Sequence, residues 1–136
     1  MIGVLVLTHG ATGEHMLATA TQIVGKTPVR SAVIGVEPDA DPKVVLEKAR
    51  ALAGQLDDGS GVLVLTDMYG ATPGNVARAL LADGRIEGVA GLSLPMLVRV
   101  LSGRNGGLAA AVQRALSGGA EGVLHMNEDC CRDAER

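Results

Sequence analysis

The chain alternates between short, unbroken apolar runs and longer stretches in which apolar positions recur every three or four residues. Residues 2–7 form the first run, closed by Thr8-His9-Gly10. A run with no polar alternation predicts a strand buried on both faces. Residues 12–24 follow with Met16, Ala20, Ile23 and Val24 at helical spacing, and Gly25 is placed to stop that helix. A second strand is predicted over 29–36, preceded by Pro28. Asp41 can then cap a helix whose first residue is Pro42, with Val45, Ala49, Leu52, Ala53 and Leu56 on one face. The third run, 61–65, ends at Thr66-Asp67. Thr72 reads as the N-cap and Pro73 as the first residue of a helix burying Val76, Ala77, Leu80 and Leu81. A fourth strand is predicted over 86–92 and a short helix over 95–101. Leu108, Ala111, Val112, Ala115 and Leu116 then mark a last helix. Residues 122–126 are a final short apolar run, and 127–136 a charged tail expected to fray.

Strands alternating with helices predict an α/β fold: a parallel sheet with helices on both faces and right-handed crossovers. With no internal repeat and no linker, 1–126 reads as a single domain. Such sheets bind ligands beyond the carboxyl ends of their strands, where the strand order reverses. His9 follows the first strand and Asp67 the third. In a 2-1-3-4 order these strands are neighbours and the reversal falls between them.

Composition narrows the choice of ligand. The chain of 136 residues has one Tyr, no Phe and no Trp, so stacking platforms for single-stranded nucleic acid are excluded. The net charge of −3 leaves no basic stripe for phosphate backbones or anionic lipid. No apolar run is long enough to span a bilayer, and the first residues lack the basic n-region of a signal peptide. Small molecules and other proteins remain as partners, in the cytoplasm. Cys130 and Cys131, adjacent in the tail, form no framework of disulfides and read as free thiols.

A carboxylate beside an imidazole fixes its tautomer. If Asp67 accepts from the Nδ1–H of His9, Nε2 keeps its lone pair and is a nucleophile at neutral pH. Each residue also has a plainer reading: His9 bonding only its loop, Asp67 capping the turn at Tyr69 or Gly70. The surrounding segments suit an anion. Gly10-Ala11-Thr12-Gly13 and Gly70-Ala71-Thr72-Pro73 each lead into a helix, whose first N–H groups face the same edge. A phosphoryl group on His9 would lie between them, near the Thr72 hydroxyl. No P-loop or dinucleotide fingerprint is present. His15 lines the same rim or is simply solvated, and His125 reads as structural. No metal-ligand spacing joins the histidines, so no metal and no cofactor are expected. Tyr69, the lone aromatic, either contacts a protein partner or packs over its loop.

Taken together, Ile2-Gly3-Val4-Leu5-Val6-Leu7-Thr8-His9-Gly10 and the Val64-to-Asn75 segment resemble the two signatures of the mannose-type enzyme IIA component of the sugar phosphotransferase system (PTS). These are an N-terminal strand ending in (S/T)-H-G and a later D-x-x-G-G-(S/T)-P-x-N. Gly91-Leu92-Ser93-Leu94-Pro95-Met96-Leu97 resembles the family's third segment, and the likeness covers about residues 1–126. Ala71 stands where the family has a second glycine, and Ser93 where it has asparagine.

The resemblance implies a bacterial phosphotransferase with a phosphohistidine intermediate. His9 would accept a phosphoryl group on Nε2 from the carrier HPr and pass it to a histidine of a IIB protein. Asp67 would hold the other ring nitrogen. Gly10, Gly70, Ala71 and Thr72 would surround the phosphate, with Tyr69 at the docking rim. The implied fold is a four-stranded parallel sheet in 2-1-3-4 order. A fifth, antiparallel strand, placed at 122–126, would be exchanged within a homodimer. Contact with the membrane would be indirect, through IIC and IID components. No fused IIB domain is expected after the tail. Two alternatives stay open: a regulatory module that senses phosphorylation state without serving transport, and the phosphotransferase subunit of a dihydroxyacetone kinase.

Overall fold

The computed structural model describes residues 1–27, 29–104 and 106–128. Pro28, Cys130, Cys131 and nearly all of the charged tail lie outside the described residues. The elements run β1 (Gly3–His9), α1 (Thr12–Val24), β2 (Arg30–Val36), α2 (Pro42–Leu56), β3 (Val62–Thr66), α3 (Thr72–Leu80), β4 (Ile86–Ala90), α4 (Leu94–Ser102) and α5 (Gly107–Glu121). The strands form one sheet in the order β2-β1-β3-β4, with every neighbouring pair parallel.

The unbroken apolar runs are the two central strands. Val4 and Val6 of β1 join Leu63 and Leu65 of β3 in a core with α1, α4 and α5. Leu5, Leu7, Val62 and Val64 point the other way, into a core with α2 and α3. A strand covered on both faces has no solvent side on which to place polar residues, which is why these runs do not alternate. Three apolar residues expected on buried faces are exposed instead. Ile23 sits in the last turn of α1, Leu81 is already past the end of α3, and Leu116 lies on the outer side of α5.

Helix starts follow the local chemistry. The Asp41 side chain accepts from the Lys43 N–H at 3.0 Å, with Pro42 as the first helical residue, as expected. Ser93, where the family pattern has asparagine, caps α4 by accepting from the Met96 N–H at 3.3 Å. Thr72 is not an N-cap. The Asn75 N–H already bonds the Ala71 carbonyl at 2.8 Å, so the helix starts one residue earlier and Ala71 occupies the cap. Residues 122–126 form no strand within one chain: Gly122 closes α5 and helical backbone resumes at 126–128. A strand needs a neighbour for its N–H and C=O groups, and this run has none among the described residues. Val123, Leu124 and Met126 are exposed.

Candidate functional site

The parallel order brings the carboxyl ends of all four strands to one edge. There β1 ends on His9 itself, and Asp67 is the first residue after β3. The strands are paired through Leu7 and Thr66, so the two side chains emerge side by side. The His9 Nδ1 lies 2.9 Å from Asp67 Oδ2, and the same oxygen accepts the His9 backbone N–H at 3.1 Å. Asp67 thus grips both the ring and the main chain of one residue. It does not cap its own turn.

A carboxylate only accepts hydrogen bonds, so Nδ1 must carry the proton. Nε2 is left with its lone pair, bonded to no group among the described residues, on a side chain that is half exposed. The Asp67 carboxyl is mostly covered. Burial is the largest single influence on it and pushes its pKa up. The side-chain and backbone hydrogen bonds from His9 lead the influences that lower it, joined by the charge of the ring when it is protonated, and the net direction is below the ordinary 3.8. Asp67 is therefore an ionised acceptor at neutral pH.

His9 opens into a cavity of about 390 Å³ lined by Gly10, Ala11, Thr12, Val36, Glu37, Pro38, Ala40, Thr72 and Pro73. Two helix N-termini face it. Neither N-cap residue, Ala11 or Ala71, has a side chain able to satisfy the first N–H groups. Apart from the Gly13 N–H, which donates to Thr8 Oγ1, those groups and the two helix dipoles favour an anion beside His9, while Glu37 adds a carboxylate to the lining. Gly10 turns the chain from β1 into α1 with φ +48°, a left-handed conformation that other residues seldom take. Ala71 has φ −96° and ψ 175°, ordinary extended backbone, so its methyl group strains nothing.

Of the residues singled out from the sequence, His9, Gly10 and Thr72 line this cavity. Asp67 stands behind the imidazole, and Gly70 and Ala71 lie in the loop leading to Thr72. Tyr69 does not belong to it. Its exposed ring lies under the Arg78 guanidinium, 5.9 Å from the ring centroid, beside a different depression against β4. His15 is exposed on α1. His125, expected as structural, is also exposed, with Nδ1 3.8 Å from a Glu128 carboxylate oxygen. Among the described residues, no group of three or more His, Cys, Asp or Glu side chains converges as a metal site.

The wall formed by Glu37, Pro38 and Ala40 was missed in the sequence. A signal for it existed: β2 is in register with β1 through Val36 opposite His9, so whatever follows Val36 must emerge at the same edge. A second groove of about 230 Å³ opens between α2 and α3 and meets the first at Thr72. Leu46, Val76 and Ala79 make it mainly apolar, with Lys43 and Asn75 also on its wall.

Residues 3–116 match the family model described as PTS system fructose IIA component. The chain is 33% identical over 125 residues to the PTS system mannose-specific EIIAB component of Escherichia coli K12, covering 90% of this chain and 38% of that protein. It thus spans well under half the length of that relative. It is 30% identical over 103 residues to the PTS system fructose-specific EIIA component of Bacillus subtilis, covering 75% of this chain and 70% of that one. Among solved structures it resembles the phosphotransferase system component EIIA from Streptococcus agalactiae, with a TM-score of 0.79 and 26% identity over 94% of this chain and 99% of that chain.

Proposed function

This chain belongs to the family of PTS system fructose IIA components, and on that premise we propose that it is a phosphocarrier whose His9 Nε2 accepts and passes on a phosphoryl group. The observation that carries the reading is the 2.9 Å contact between His9 Nδ1 and Asp67 Oδ2, which commits the proton to Nδ1 and the lone pair to Nε2. The donor is the phosphohistidine of HPr and the acceptor a histidine of a IIB protein.

Each transfer balances without a proton, metal or redox partner. The Nε2 lone pair forms the new P–N bond. The old P–N bond breaks, and its electron pair returns to the donor imidazole. The transition state is loose, so the site acts by in-line positioning and by stabilising charge. As the P–Nε2 bond forms, the His9 ring becomes positive, and the Asp67 carboxylate faces that charge through the Nδ1–H. The phosphoryl oxygens sit at the N-termini of α1 and α3, with the Thr72 hydroxyl on the cavity wall beside them. The second transfer is the same step with His9 as leaving group. We place the homodimer in the same reading, with 122–126 supplying a strand to a second copy.

Incubation with enzyme I, HPr and phosphoenolpyruvate should add about 80 Da, the mass of one phosphoryl group, in an acid-labile linkage. His9→Ala should take up none. Undiminished labelling of that variant would sink the assignment.

A further inference from the structure

A polar side chain beside the nucleophile is buried rather than turned to the cavity. Thr8 immediately precedes His9 and is completely buried, yet its hydroxyl does not serve the sheet. Its Oγ1 accepts the backbone N–H of Gly13 at 2.7 Å, across the β1–α1 turn. Gly13 is the second residue of α1, so this N–H is one of those that the helix itself leaves without a partner. An N-cap side chain ordinarily takes that bond, and here the N-cap is Ala11, which has no acceptor. The cap is supplied from inside the sheet, by the neighbour of the nucleophile.

We propose that Thr8 is a positioning residue for phosphoryl transfer, its hydroxyl tying the first turn of α1 to the strand end that carries His9. This rests on the reading of His9 as the phosphoryl acceptor.

Three features make the tie stiff. Gly13 packs so closely that a Cβ there would lie 2.6 Å from Thr8 Oγ1 and 2.7 Å from Val6 Cγ1, so helix and strand meet backbone to side chain. The Gly10 N–H donates to the Val36 carbonyl at 3.0 Å, pinning the middle of the turn to β2. The His9 N–H donates to Asp67 at 3.1 Å, pinning its start to the β3 end. The Thr8–Gly13 bond closes the remaining side, on the helix. It also takes the Gly13 N–H out of use, so the α1 groups left to meet phosphoryl oxygens are those of the outer first turn, beginning with Thr12 on the cavity wall. Removing the hydroxyl frees the helix end to shift relative to Nε2. In-line transfer is sensitive to displacements of that size.

Thr8→Val keeps the shape and replaces the hydroxyl by a methyl group, whereas Thr8→Ser keeps the hydroxyl. With phospho-HPr as variable donor, Thr8→Val should lower the maximal rate of labelling by about tenfold with little change in KM. That is a modest loss of alignment in the transition state, smaller than the ~100-fold of an ångström-scale misplacement. Thr8→Ser should recover most of the rate. A Thr8→Val protein that folds and labels at the normal rate overturns the proposal. So does a Thr8→Ser protein as slow as the valine variant, since packing of the methyl group would then be the cause.

Amide exchange on the unaltered protein tests the tie without any variant. The Gly13 N–H should be protected like the amides of β1, and fast exchange there overturns the proposal even if Thr8→Val fails to fold. Absence of label on the unaltered protein, with Gly13 protected, instead identifies failure of the acceptor reading and withdraws the role in transfer with it.

Discussion

At His9 the chemistry depends on which ring nitrogen holds the proton, and Asp67 decides it. Asp67→Asn retains an acceptor for Nδ1–H but removes the charge that faces the ring as phosphorus bonds to Nε2. Labelling by phospho-HPr should fall by about 10–100-fold, the range for losing a partner that orients a functional imidazole. The same carboxylate carries a pH signature. Its folded pKa is depressed below 3.8, so its contribution to stability is fully present above that value and lost as the pH falls through the lower, folded one. Thermal unfolding of the two proteins should therefore differ at neutral pH and converge only below about 3.8. A gap that stayed constant into strong acid would show that Asp67 contributes through shape alone. The departure at position 71 has a simpler outcome: the extended backbone there accepts alanine without strain.

Elements were legible where a local signal set both their type and their limits. The Asp41-Pro42 pair names a cap and a first helical residue, and α2 begins on Pro42. Asp41→Ala should cost about 1 kcal/mol, within the usual range for a lost N-cap. The shift in urea midpoint measures it, and an unchanged midpoint would mean that Pro42 alone sets the start. The start of α3 was misplaced because Thr72-Pro73 offers the same residue types without the same bond. The carbonyl of Ala71 enters the helix first, which frees the Thr72 side chain for the cavity. Thr8 escaped notice for a related reason. A threonine inside an apolar run reads as a strand former, and its cap lies on a helix that only the fold brings alongside. His9 and Asp67 were readable because parallel strands place their ends at one edge, so position along the chain translates directly into position in space. The far wall of the cavity needed the register of β2 as well.

On the scale of the whole molecule, the feature that one chain leaves unbalanced is the apolar run after α5. Val123 is 83% exposed and Met126 77%, while β4 stands at the edge of the sheet, paired with β3 and, at Ile86 alone, bridged on its other side to Ala82. An open edge and an unpaired apolar run are complementary demands: one presents N–H and C=O groups without partners, the other lacks a neighbour. The homodimer proposed above satisfies both if 122–126 of each copy adds to β4 of the other. Because Val123 and Leu124 are exposed in the single chain, charge at those positions does not disturb its core. Val123→Asp with Leu124→Asp should therefore leave thermal unfolding of the monomer nearly unchanged, within about 0.5 kcal/mol, while abolishing association. Sedimentation equilibrium at tens of micromolar should give a dimer for the unaltered protein and a monomer for the double variant. A monomer in both cases would remove the strand exchange from the proposal. A dimer in both would move the interface to another face. Labelling of His9 in the monomeric variant would then show whether one chain is a complete carrier.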